Sequence, residues 1–155
     1  MSAFDDAFES VLKLHGGYAN PGADKGGASV YGLDEYMVRK TGYTGPLKDF
    51  PLAKAKEAYQ SHYWAPLNLD GVAEVSQPVA LKLFDIALNR GRGRTAKSLQ
   101  RTLNELNRQQ ADYPDVTVDG TVNPETIAAL TAFMDKQKPQ GETVLLDALA
   151  SAQVA

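Results

Sequence analysis

At 155 residues, with 43% apolar and 23% charged side chains, the chain has the size and composition of one globular domain that buries a real core. A net charge of -3 gives no general attraction to nucleic acid or anionic lipid, and the absence of cysteine excludes disulfides and thiol catalysis. No apolar run approaches the roughly 20 residues needed to span a bilayer, and the acidic, amphipathic "MSAFDDAFESVLK" is wrong for a secretory signal.

A first helix is signalled by Ser2 as N-cap, by Asp5 and Asp6 at the positive end of the dipole, and by Phe4, Phe8, Val11 and Leu12 on one face. Gly16-Gly17 stops it directly after His15, one of two histidines in the chain. Residues 18–32 read as an irregular loop or short hairpin, with Asn20-Pro21 and Gly26-Gly27 as turn signals. "LDEYMVRKTG" predicts a short second helix closed by Gly42. "PLAKAKEAYQSHYW" (51–64) predicts a third, with Leu52, Ala55, Tyr59 and Tyr63 on one face.

"QPVALKLFDIALNRG" is the most apolar helical stretch, with Val79, Leu83, Ile86 and Ala87 spaced for burial and Gly91 as its stop. "RTAKSLQRTLNELNRQQ" follows, with Leu99, Leu103 and Leu106 on one stripe. After the turn "DVTVDGTVN", the stretch "PETIAALTAFMDKQ" opens with Pro124 at the first helical position. "ETVLLDALASAQ" predicts a last helix. Six or seven helices and at most a small hairpin make the fold mostly α.

The histidines predict no metal site, because His15 and His62 are far apart and neither belongs to a ligand-spaced cluster. The chain lacks a P-loop, a dinucleotide fingerprint and a GxSxG elbow, so no cofactor is expected. What remains is a glycine-rich loop after helix one, carrying Asp24 and Ser29, with His15 at its root. A separate feature, "NRGRGRTAK", concentrates Arg90, Arg92, Arg94 and Lys97. It reads as a solvated basic turn or as a surface for an acidic polymer or partner.

The pattern "GGY-x-N-x-x-x-D-x-GG-x-S-x-x-GL" (Gly16 to Leu33), then "YWAPL" (Tyr63 to Leu67) and "LFDIALNRG" (Leu83 to Gly91), resembles the glycoside hydrolase family 108 muramidases. These are lysozyme-like phage endolysins and secretion-associated peptidoglycan hydrolases. "LQRTLN" followed by "VDGTVNPETIAAL" is similar to the peptidoglycan-binding-type segment that closes such proteins. The resemblance implies a lysozyme-like lobe over 1–92 with a small β or loop insertion after helix one. It also implies a helical C-terminal subdomain over 93–155, packed with the lobe as one globular unit. Peptidoglycan is the implied partner, with room for phage or secretion-machine proteins. Lacking a signal peptide, such a chain would act in the periplasm or cell wall, or be carried in a phage particle.

The family implies a glutamic acid immediately before Gly-Gly-Tyr as proton donor to the glycosidic oxygen. In related phage lysozymes an aspartate about nine residues on, and a hydroxyl residue slightly further, position or activate a water. Asp24 and Ser29 fall at those places, Ser29 in place of the usual threonine. Position 15 holds histidine. The implied catalytic set is therefore His15 at the general-acid position, Asp24 and Ser29, and the implied substrate contacts are Tyr18, Tyr31, Tyr63, Trp64 and Asn89. Plainer roles exist for several of these. An aromatic pair such as Tyr63-Trp64 at a helix end is more often core. Asn89 and Asp85 can brace the loop by hydrogen bonds. A histidine in a last helical turn is satisfied by the dipole and the free carbonyls.

An imidazolium can donate a proton in principle, but it places positive charge beside a transition state that is itself becoming positive. Three functions follow as expectations. The first is a peptidoglycan-directed muramidase-family protein with weak or lost activity. The second is an active muramidase that uses His15 or another carboxylate. The third is a non-catalytic structural or interaction protein of a phage particle or secretion machine.

Overall fold

The computed structural model describes residues 2–19, 28–108 and 110–154, and its contacts divide the chain into two units, Met1–His62 and Tyr63–Ala155. The fold is mostly helical. Among the described residues no helix is long and apolar enough to cross a membrane.

In the first unit α1 runs Ala3–His15 and begins with the predicted cap. Ser2 Oγ accepts the Asp5 N–H at 3.1 Å, and Asp5 Oδ2 accepts the Ser2 N–H at 3.1 Å, a reciprocal capping box. Phe4, Ala7, Phe8 and Val11 are the buried face. The glycine-rich stretch yields more strand than expected. Three two-residue strands, β1 (Tyr18–Ala19), β2 (Ser29–Val30) and β3 (Leu33–Asp34), form an antiparallel sheet in chain order. Leu33 therefore belongs to the sheet, and α2 is shorter than predicted, Glu35–Lys40, with Asp34 as its N-cap. A 3-10 turn (Leu47–Asp49) and α3 (Leu52–Tyr59) complete the unit.

Lys56 on α3 reaches Asp5 at 2.6 Å and so joins α3 to the start of α1. The ammonium hydrogen bond, seconded by the Ser2 N–H and hydroxyl, lowers the Asp5 carboxyl from 3.8 to about 2. A depressed folded-state value means that its stabilisation is complete above about pH 4 and disappears as pH falls toward 2. Urea midpoints measured across that window should therefore fall less steeply in Asp5→Asn than in the parent.

The single helix expected over 51–64 is two pieces. After α3 the backbone opens into a π-helical turn, Gln60–Trp64. In such a turn residues i and i+5 share a face instead of i and i+4. That places Trp64, five after Tyr59, in a buried position and leaves Tyr63 half-buried. Leu52, expected on the apolar face, is exposed at the first turn, and Ala55, Ala58 and Tyr59 are the buried residues of α3.

The second unit contains α4 (Leu69–Val75), α5 (Gln77–Arg90), α6 (Arg92–Glu105), α7 (Pro124–Lys136) and α8 (Gly141–Val154). No sequence signal announced α4, whose first turn holds Gly71, a poor helix former. α5 packs on α4, α6 and α8, and α7 packs on α4, α6 and α8. Val79, Leu83, Ile86 and Ala87 of α5 are buried as predicted. α6 ends earlier than the sequence pattern suggested, with Leu106 as its C-cap. α5 shares its apolar face with α6 and α8, and all three lie in the unit Tyr63–Ala155.

The Asp119–Gly120 turn, between α6 and α7, is built around the buried Gln100 amide. Gln100 is fully buried, and its Oε1 accepts the Asp119 and Gly120 N–H groups at 3.0 and 3.1 Å. Its Nε2 donates to Asp119 Oδ1 at 2.9 Å, to the Thr121 carbonyl at 2.8 Å and to Thr126 Oγ1 at 3.1 Å. Asp119-Gly120 is thus a structural turn, and the Gln100 amide, with the Thr121 N–H, holds the Asp119 carboxyl below its ordinary value.

Candidate active site

α1 ends where Gly16 takes a φ of 65°, and the Gly16 N–H closes the helix on the Leu12 carbonyl at 2.8 Å. His15 is therefore the last helical residue, exposed, at the point where the chain turns into β1. Among the described residues, apart from the chain neighbours, no atom lies within 4 Å of where a Cβ on Gly16 or Gly17 would stand.

Beyond β2 the chain reverses through Tyr31 and Gly32, at φ 50° and 83°. Two consecutive left-handed residues are what a two-residue hairpin of this twist requires. Glycine meets that demand freely, but tyrosine does so at a cost. Three anchors hold the turn. The Tyr31 N–H donates to the Gly17 carbonyl at 3.2 Å. The Tyr31 carbonyl accepts the Tyr59 hydroxyl at 2.8 Å. Val30 and Leu33, paired across β2 and β3, are buried below it.

His15 closes onto this same turn. A Cβ built on Gly32 would lie 2.8 Å from His15 Cδ2, 3.0 Å from His15 Cγ and 2.7 Å from Tyr59 Oη. The absent side chain of Gly32 is thus what lets the imidazole and the phenol meet over the turn. Gly32→Ala should cost about 1–2 kcal/mol from the left-handed backbone alone. It must also displace His15 or break the Tyr59–Tyr31 hydrogen bond. A shift of the urea midpoint measures the first effect, and a change in the His15 ring proton chemical shifts reports the second.

Ser29 lies half-buried on β2, opposite Ala19 on one side and Asp34 on the other. Asp34 is committed to helix capping, its Oδ1 accepting the Met37 N–H at 2.9 Å. Tyr18 stands on β1 opposite Val30 and is 46% exposed. Asp24 lies outside the described residues. The first unit therefore brings His15, Ser29, Tyr18 and Tyr31 to one small sheet and its helix end.

Tyr63, Trp64 and Asn89 belong to the second unit. Trp64 corrects the expectation that it lines a sugar groove. It is 0% exposed, its indole N–H donates to Asp70 Oδ1 at 2.8 Å, and its ring meets Phe84 edge-on at 5.5 Å between centroids. It is core, because the π turn rotates it inward. Asn89 is exposed, and its amide donates to the Asp85 carbonyl of its own helix at 3.0 Å. Sequence reading missed Tyr59 as a site residue, taking it only for the apolar face of a helix. The available signal was that a buried phenol needs a hydrogen-bond partner.

Among the described residues no three His, Cys, Asp or Glu side chains gather as a metal site. His62 lines a separate groove with Met37, Lys40, Thr41, Ala58 and Ser61, none of them a predicted site residue.

Comparison with known proteins gives two family matches that together cover most of the chain. Residues 8–91 match the model described as Glycosyl hydrolase 108, and residues 94–155 match the one described as Predicted Peptidoglycan domain. Among solved structures, Brucella abortus SagA is similar with a TM-score of 0.72 and 23% sequence identity, over 97% of this chain and 77% of that chain. At that identity the likeness is one of fold. No curated protein matches significantly.

Proposed function

The chain belongs to the glycosyl hydrolase 108 family and carries a peptidoglycan-type segment behind that domain; from this premise we propose that it engages bacterial peptidoglycan but hydrolyses the MurNAc–GlcNAc bond weakly or not at all. The observation that carries the proposal is His15, which stands at the helix-end position where the family resemblance implies a glutamic acid. Its ring lies over the Tyr31–Gly32 turn beside the Tyr59 hydroxyl.

The chemistry of that exchange decides the outcome. A protonated carboxyl gives its proton to the leaving oxygen and becomes an anion beside the developing oxocarbenium ion. An imidazolium begins positive, so it repels the charge that the transition state builds and offers no anion afterward. Loss of general-acid catalysis alone typically costs on the order of 10² to 10⁴ in rate.

Two measurements on the full chain test this. Incubation with purified murein sacculi should leave new reducing ends near the background level. Co-sedimentation with the same sacculi should still recover the protein. Release of reducing ends at the rate of an ordinary lysozyme would sink the proposal of lost hydrolysis, and absence from the sacculus pellet would sink the binding part.

A further inference from the structure

We propose that the exposed face of α6 is a docking surface for the carboxylates of the peptidoglycan stem peptides, an inference that rests on the peptidoglycan reading above. Arg94, Lys97 and Arg101 recur at i, i+3 and i+7 and so share one face of the helix. Arg90 and Arg92 flank Gly91 at its start, and all five cations are exposed. Across residues 86–104 there is no Asp or Glu, in a chain whose net charge is -3.

Helix stability does not account for this arrangement. The first turn of α6 holds no acidic residue and no side-chain cap, yet Arg92 and Arg94 stand there, at the positive end of the dipole. Arg94 with Lys97, and Lys97 with Arg101, place like charges three and four residues apart, where opposite charges would stabilise. Among the described residues none of Arg94, Lys97 and Arg101 forms an ion pair. The nearby Asp119 carboxylate is engaged by Gln100 and the Thr121 N–H. Lys97 itself runs along the Asp119–Gly120 turn, its Cε 3.4 Å from where a Gly120 Cβ would stand, so its stem is supported while its head stays in solvent. A helix that breaks its own local rules over one whole face points to a use for that face.

Charge and identity select the occupant. Two of the three cations on this face, Arg94 and Arg101, are arginines, whose forked donors fit a planar carboxylate with two parallel hydrogen bonds. One exposed ion pair contributes little, so a row of them suits a polymer that repeats its anions and binds by many weak contacts. Peptidoglycan repeats free carboxylates on its stem peptides, and Arg94, Lys97 and Arg101 lie in the segment matched to the Predicted Peptidoglycan domain.

The test is co-sedimentation of the full chain with sacculi stripped of attached polymers, over a potassium chloride series. The parent is compared with the triple variant Arg94→Gln, Lys97→Gln, Arg101→Gln. Each protein is offered untreated sacculi and sacculi whose carboxyls have been amidated with a carbodiimide and ammonia. The triple variant should bind untreated sacculi at least about tenfold more weakly, with a flatter salt dependence. Amidation should weaken the parent to a similar degree and the variant little. The variant should melt no lower than the parent, since like-charge pairs have been removed. Equal binding of parent and variant to untreated sacculi would overturn the docking surface and leave the peptidoglycan reading standing, as would parent binding that survives amidation. A parent that fails to bind either preparation would overturn the peptidoglycan reading itself, and the proposal with it.

Discussion

His15→Glu should raise the release of reducing ends from sacculi by at least about 100-fold over the parent, the lower end of what a positioned general acid contributes. The site is suited to receive the carboxyl. Position 15 is the last residue of α1, where the negative end of the helix dipole disfavours an ionised carboxylate and so raises its pKa, as a general acid requires. Among the described residues no atom crowds a Cβ position at Gly16 or Gly17, and Gly32 presents no side chain to obstruct the new group. The same dipole predicts a cost. A cationic or neutral imidazole is tolerated there better than a carboxylate, so the gain in rate should come with a loss of about 0.3–1 kcal/mol in stability. Activity that rises while the urea midpoint falls slightly is the expected signature. A glutamate variant that folds, binds sacculi and still releases no reducing ends would show that more than the proton donor has been lost. Ser29, which stands in place of the usual threonine, would then be the next position to restore.

Trp64→Ala should lower the free energy of unfolding by about 3–5 kcal/mol, the largest stability effect expected from any single side chain considered. The indole is fully buried, packs edge-on against Phe84 and donates to Asp70. Truncation removes a large apolar surface and leaves a cavity that the surrounding helices fill only in part. Trp64→Phe should cost much less, because it keeps the aromatic contact and Asp70 is exposed to water. Chemical denaturation measures both. If Trp64 contacted sugar instead, the alanine variant would lose sacculus affinity and keep its stability, the opposite pattern.

The elements that the sequence disclosed are those whose causes lie within a few residues. The Ser2 cap, the stop at Gly16 and Pro124 at N1 depend on neighbouring atoms alone, and the structure adds the reciprocal Asp5 bond and the Asn123 cap to them. The buried stripe of α5 follows from periodicity alone. The ordered motifs from Gly16 to Gly91 likewise located the family, which the matched residues 8–91 show. The elements that escaped are short or rest on distant partners. Strands of two residues carry no periodicity to detect. α4 is only seven residues long and carries Gly71, a poor helix former. The π turn after Tyr59 shifts the phase of the side chains behind it, so a 3.6-residue pattern set Tyr63 on the apolar face, where the structure buries Trp64.

By itself, then, the sequence determined the longer helices, the Ser2 cap and the glycine stops, the acidic balance with its one basic run, and the identity of the residue before Gly-Gly-Tyr. Only the tertiary structure decided what that residue meets. Tyr59 reaches across 28 positions to hold the Tyr31 carbonyl, Gly32 leaves the space, and His15 closes over both. Local rules act through bonds and single turns of backbone, whereas this junction depends on packing that brings an early helix end, a hairpin and a later helix to one point. No periodicity in a linear chain encodes such a meeting.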